Sequence, residues 1–243
     1  ELSDRYILYY LTDIETVGLY GAGYKIGMLM MLVVMGFNMA WQPYFLKKNI
    51  IEKKYINQVT TIVISILFFL WILLLIWSSD LVKIQFWNST FFGEKYWDSI
   101  QIIPVIALAY IFHAVYLLQL PGVYLLGKSG WIAWVRGIGA SVNIILNFLL
   151  IPEYGIMGTA SATCLSMMLI AVIFYFINKI VFPISYNWNK LGVILITTGF
   201  IYLIQYNLNL NCSLKILVSI SYPVIMIFSG VININQIRNI ITN

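Results

Sequence analysis

Residues 55–79, YINQVTTIVISILFFLWILLLIWSS, run for 25 positions without a charged side chain. An α-helix needs about 20 mostly apolar residues to cross the ~30 Å hydrocarbon core of a bilayer. The period-two alternation of a barrel strand is absent from the run, and backbone groups in hydrocarbon must be satisfied within the segment, so the stretch reads as a membrane-spanning helix. Working outward, residues 99–127, 154–178 and 216–237 are equally free of Asp, Glu, Lys and Arg. The whole chain of 243 residues is 61% hydrophobic and only 9% charged. A soluble domain carries roughly a quarter charged residues. Nine acidic and fourteen basic side chains cannot cover the surface of a soluble core of this size.

The expected architecture is an all-α membrane protein, a polytopic bundle of about seven full transmembrane helices plus a truncated first helix. The spans are placed at 18–45, 57–79, 99–126, 131–151, 156–178, 190–207 and 214–234, after a helical remnant at 1–12. The chain opens on Glu1 and that remnant is too short to span, so an upstream part is expected. Trp77, Trp87, Trp97, Trp131 and Trp188 fall near span ends, as interfacial anchors do. The longest loop on the outer side, 80–98, is rich in aromatic residues (Phe86, Phe91 and Phe92 among them); membrane anchoring and ligand contact both fit it.

The net charge of +5 is read as topology rather than as affinity for nucleic acid. Lys47, Lys48, Lys53, Lys54, Lys128, Lys179, Lys190 and Arg238 fall in loops on one side. The other side holds Lys83, Lys95 and Lys215 together with Asp13, Glu15, Asp80, Glu94, Asp98 and Glu153. The lysine-rich side is expected to be cytoplasmic, with the C-terminus on it. Cys164 lies inside a span and Cys212 near a loop, so neither a disulfide nor a metal spacing is indicated, and one histidine makes no metal cluster. No Ser-His-Asp set, phosphate-cradling glycine loop or paired loop carboxylates are present, which argues against an enzyme and against a catalytic cofactor.

Ionisable residues within spans are costly and are candidates for function. Asp4 and Arg5 lie in the remnant helix, and Lys25 lies in the next span at a depth expected to be similar to that of Arg5. These cations either line a cavity or, for Lys25, snorkel outward while Asp4 and Arg5 pair locally. Arg136, Ala140, Asn143 and Asn147 recur at i, i+4, i+7 and i+11, which puts them on one helical face turned to a neighbouring helix or a watery cavity, with snorkelling to the cytoplasmic surface as a further reading for Arg136. His113 is mid-span, between Tyr110 and Tyr116, as a proton carrier or a hydrogen-bonded packing residue. Pro104 and Pro121 are expected to kink that helix. Gly155, Thr159, Ala162 and Ser166 form a small-residue stripe, and Gly23 and Gly27 a second close-packing face.

Two stretches carry a resemblance. The first is Ser3-Asp4-Arg5-Tyr6-Ile7-Leu8, then Val17-Gly18-Leu19-Tyr20, Tyr24-Lys25 and Trp41-Gln42-Pro43-Tyr44. Their order resembles the seventh and eighth helices of bacterial polysaccharide flippases, members of the multidrug/oligosaccharidyl-lipid/polysaccharide exporter superfamily. The second runs from Gly127-Lys128 through Asn143 and Asn147 to LIPEYGIMGTASAT at 150–163, and is similar to that family's helices eleven and twelve, with Thr159 where alanine is usual.

The resemblance implies that residues 1–178 form the C-lobe core, from the end of helix seven to helix twelve, and that 179–243 add two C-terminal helices. The chain would be the C-terminal lobe of a two-lobe transporter, with its own N-terminal half as a partner. It would flip undecaprenyl-pyrophosphate-linked oligosaccharide units across the bacterial cytoplasmic membrane by alternating access, for O-antigen, capsule or exopolysaccharide. Arg5, Lys25 and Arg136 would contact the anion, Asn143 and Asn147 would shape the polar face, and Asp4 or His113 would couple to H+ or Na+. A drug exporter of the same superfamily and a membrane polysaccharide polymerase are the competing readings.

Overall fold

The structure, a computed structural model, describes residues 2–48, 53–86, 89–90, 92–208 and 210–233. Trp87, Phe91 and Arg238, and with Arg238 the C-terminal tail whose side was inferred from charge, lie outside the described residues. The described residues are mostly helical, with one short hairpin, Gln85–Phe86 (β1) paired antiparallel with Ser89–Thr90 (β2). Among the described residues four helical segments are long and apolar enough to cross a membrane: Leu29–Lys47, Lys53–Val82, Glu94–Leu125 and Gly130–Val181.

The chain begins with α1 (Leu2–Leu11) and turns at Asp13, whose carboxylate accepts the Thr16 N–H at 2.7 Å and caps α2 (Ile14–Gly27). That bond holds the Asp13 carboxyl below the usual carboxylate range. The span expected over 18–45 is divided at Met28, where α2 gives way to α3 (Leu29–Lys48). Packing is tight just before this point: a Cβ on Gly23 would meet the Ser99 carbonyl at 2.5 Å, and one on Gly27 would meet Ile106 at 2.8 Å. The glycine face presses α2 onto its neighbours, while much of α3 is exposed.

α4 (Lys53–Val82) is 30 residues long, ~45 Å at helical rise, and exceeds the hydrocarbon thickness. With α5 (Ile103–Leu118) it forms the centre of the bundle, where Ile72, Ile76, Ile103 and Ile106 are fully buried. The span expected at 99–126 has three parts: a 3-10 helix Glu94–Ile102, α5 and α6 (Leu120–Leu125). Pro104 does not kink a helix; it stands in the first turn of α5, where its missing N–H costs nothing. Pro121 occupies the same place in α6, and the chain breaks just before it, at Gln119.

α7 (Gly130–Val181) has 52 residues and would reach ~78 Å if straight. Instead it folds back at Gly155 (φ 52°, ψ −127°), a conformation that suits glycine because a Cβ would be strained there. The two arms, 130–154 and 156–181, pack closely: a Cβ on Gly139 would strike Ile170, and one on Gly158 would strike the Leu150 carbonyl. α8 (Trp188–Asn207) has spanning length, but Asn189, Lys190, Gln205 and Asn207 dilute its ends. α9 (Cys212–Phe228) is 17 residues, ~25 Å, and stops short of the expected residue 234.

Loops expected to share a side do share an end of the bundle. Lys53 lies over the Phe182 ring at 5.0 Å, and Phe45 packs on Tyr124 at 5.9 Å. At the other end Lys215 pairs with Asp80, joining the start of α9 to the end of α4, and Tyr96 lies 3.6 Å from a Cβ built on Gly18. The outside of the bundle is apolar: Tyr10, Phe176, Ile180, Ile196 and Phe228 are exposed. So many exposed apolar side chains are compatible with a bilayer.

Candidate functional site

The most polar part of the interior lies where α1 meets both arms of α7. Asp4, in the first turn of α1, is 1% exposed. Its Oδ1 accepts from Asn147 Nδ2 at 3.2 Å, and its Oδ2 accepts from Thr163 Oγ1 at 3.3 Å. Asn147 and Thr163 each stand eight residues from Gly155, so the fold of the hairpin brings them to one level. Asp4 stands nine residues before the Asp13 turn, and the three meet ~12–14 Å from that end of the bundle.

The cluster is rich in acceptors. Asn147 Nδ2 also donates to Asn143 O at 2.9 Å and Asn143 Oδ1 at 3.3 Å, and Thr163 Oγ1 also to Thr159 O at 3.2 Å. The bonds from Asn147 and Thr163 reach five acceptor oxygens: both of Asp4, both of Asn143 and that of Thr159. Asn147 Oδ1 and Thr159 Oγ1 are buried and have no hydrogen-bond partner. The Tyr20 phenol is 1% exposed and lies within electrostatic reach of Asp4, Tyr110 and Arg5. Oxygen donors around a buried carboxylate suit a proton or a small hard cation better than a soft transition metal. No group of three or more His, Cys, Asp or Glu side chains that could hold a metal ion occurs among the described residues.

The predicted residues separate into two groups. Asp4, Asn143 and Asn147 come together, and Asn147 is buried against a neighbouring helix rather than turned to a cavity. Arg5 is half-buried beside them, its guanidinium carbon 5.5 Å from the centre of the Tyr24 ring; the Tyr24 hydroxyl bonds that of Tyr110 and ties α2 to α5. Lys25 and Arg136 are exposed. α2 starts at Ile14, so Lys25 is twelve residues beyond Asp13 and Arg5 only eight before it; Lys25 lies ~6 Å deeper rather than level with Arg5. The Arg136–Asn147 face is graded: Arg136 and Ala140 exposed, Asn143 half-buried, Asn147 buried. His113 is half-buried on α5 with its ring 5.6 Å from that of Tyr116, which also feels the charge of Arg136.

Thr163 and Tyr20 are the residues that pattern reading passed over. Thr163 follows a stripe of small side chains and reads as packing, although a hydroxyl one turn from Thr159 is a donor that hydrocarbon cannot satisfy. Compared with protein-family models, with curated proteins and with solved structures, the chain finds no match in any of the three.

Proposed function

We propose that the chain is one lobe, of about seven spans, of a two-lobe flippase in the bacterial cytoplasmic membrane. It moves undecaprenyl-pyrophosphate-linked oligosaccharide units outward by alternating access and catalyses no covalent chemistry. The observation that carries the transporter reading is the Asp4 cluster. A carboxylate buried among membrane helices is expensive, and such residues mark ion paths. Here it joins α1 to both arms of α7, so loading it with H+ or Na+ changes the attraction among three helical segments at once. Arg5, and the exposed Lys25 and Arg136, supply the positive charge that a pyrophosphate-linked substrate calls for, and the lipid tail would stay in the bilayer. The substrate class rests on the flippase-like sequence order around Asp4-Arg5 and 150–163.

The test is surface polymer in a strain lacking the gene and supplied with the full-length protein. Asp4→Asn is expected to abolish polymer export at normal membrane levels, and so is the triple variant Arg5→Ala, Lys25→Ala, Arg136→Ala. Normal export from Asp4→Asn would remove the coupling role; normal export from the triple variant would remove the anion contacts. The buried carboxylate also favours a second reading, a cation-coupled small-molecule exporter. Export of cationic dyes at unchanged polymer levels would select it, and altered polymer length with normal export would select a polymerase.

A further inference from the structure

Away from the Asp4 cluster, a slot of about 420 Å³ lies between α4, α5, the second arm of α7 and α8. Its walls are apolar, with Phe68, Ile111, Phe112, Val115 and Leu195 among them. Val172, Leu195 and Trp188 on its rim are exposed, so it opens on the outer face of the bundle. From Thr60 to Phe68 along α4, and from Gln119 back to Ile111 along α5, it is ~12 Å long.

One end of the slot is backed by polar side chains. Thr60 and Gln119 are 3% and 2% exposed; both residues and Tyr186 line the slot, and Thr60 Oγ1, Gln119 Oε1 and the Tyr186 hydroxyl are buried behind its apolar wall without a hydrogen-bond partner. Gln119 spends its amide hydrogens on the Val115 and Ala171 carbonyls, each at 3.1 Å, which turns its oxygen into the free acceptor. An orphaned buried polar atom is destabilising, and small side-chain rotations would turn these three toward a ligand in the slot.

Beside that end lies a polar pocket of about 190 Å³ that includes Lys54, Asn57, Gln58, Asn187 and Lys190. Asn187 and Trp188, consecutive in the chain, line the polar pocket and the slot respectively, as Thr61 and Thr60 do. Neither space is lined by an acidic residue. Lys190 Nζ reaches the Val231 carbonyl at 3.2 Å and retains further donor capacity.

We propose that the slot and the lysine pocket together bind an anionic glycerophospholipid. One acyl chain fills the slot. With a small side-chain shift the Thr60 and Tyr186 hydroxyls donate to its ester carbonyls, and the phosphate sits at Lys54 and Lys190. The lipid holds α8 against the central helices α4 and α5. The assignment is independent of what the protein transports.

The experiment measures lipid retained by the purified full chain, by native mass spectrometry, together with thermal stability in detergent. The probes are phosphatidylglycerol, phosphatidylcholine with the same acyl chains, and inorganic phosphate. The wild type is expected to retain phosphatidylglycerol with about a thirtyfold preference over zwitterionic phosphatidylcholine, the scale set by two lysines near a net negative headgroup. Lys54→Gln with Lys190→Gln should erase the preference but keep weak binding of both lipids. Leu195→Trp, at an exposed rim position, should fill the slot and lose both. Lys128→Gln, at the same end but outside the pocket, should change nothing. Equal retention of the two lipids by the wild type, stabilisation by phosphate alone, or an equal effect of Lys128→Gln would each overturn the proposal.

Discussion

Replacing Asn147 by alanine tests whether the Asp4 cluster is an energetic unit. The side chain is fully buried and its Nδ2 has two hydrogens for three acceptors, Asp4 Oδ1, Asn143 O and Asn143 Oδ1. At most two good bonds are lost. A bond to a charged acceptor contributes about 1.5–3 kcal/mol and a neutral one about 0.5–1.5, whereas interhelical bonds between membrane helices average only about 0.6. Between these scales, Asn147→Ala is expected to cost about 2–3 kcal/mol. Thr163→Val, which keeps its shape and gives up one hydrogen split between two contacts of 3.2 and 3.3 Å, should cost about 1. The decisive quantity is the coupling to Asp4. In an Asp4→Ala background the cost of Asn147→Ala should fall by about 1–2 kcal/mol, because the charge-assisted part has already gone. Reversible unfolding in mixed micelles, read by tryptophan fluorescence, supplies the four corners of the cycle. A coupling below about 0.3 kcal/mol, the usual error of additivity, would show that the contact carries no energy and that Asp4 is not held by the hairpin.

Other outcomes follow from the same geometry. Gly155→Ala should destabilise by about 1–3 kcal/mol through backbone strain alone, since nothing lies within 4 Å of the added Cβ; Gly158→Ala should cost more, because its Cβ would strike the Leu150 carbonyl, and unfolding midpoints compare the two. The Lys215–Asp80 pair, with Asp80 half exposed, should be worth no more than about 1 kcal/mol and should weaken with added salt in a double-mutant cycle. Asp13 has a lowered carboxyl pKa through its bond to Thr16, so its contribution is present above the ordinary carboxylate range and lost as pH falls through the folded value. Exchange of the Thr16 amide should accelerate on that acid limb, and Asp13→Ala should remove the pH dependence.

What could be read from sequence was what repeats locally. Uncharged runs and lysine-bearing loops each depend on neighbouring residues, and the residues so grouped do share ends of the bundle, as Lys53 with Phe182 and Lys215 with Asp80 show. The Arg136–Asn147 spacing likewise placed Asn143 and Asn147 on one face, and the structure joins them by a hydrogen bond. Breaks set by tertiary contact were not legible. The residue after Gly27 keeps helical dihedrals (Met28, φ −66°, ψ −14°), and the close packing of Gly23 on Ser99 and Gly27 on Ile106 is a long-range contact that local sequence does not show. Pro104 looked like a kink because a hydropathy window does not show that a 3-10 segment ends one residue before α5 begins. Thr163 escaped because its partner, Asp4, is 159 residues away, and a threonine among small residues signals packing as readily as hydrogen bonding.

That separation sets an order of events in biosynthesis. Asp4 precedes Asn147 by 143 residues and Thr163 by 159. At a synthesis rate of about 5–20 residues per second, α1 waits about 8–30 s before the donors that hold its carboxylate exist. During that interval the two hydrogen bonds from Asn147 and Thr163 cannot form. The first helix of this chain is therefore among the last to settle, and the α7 hairpin acts as the latch that closes on it.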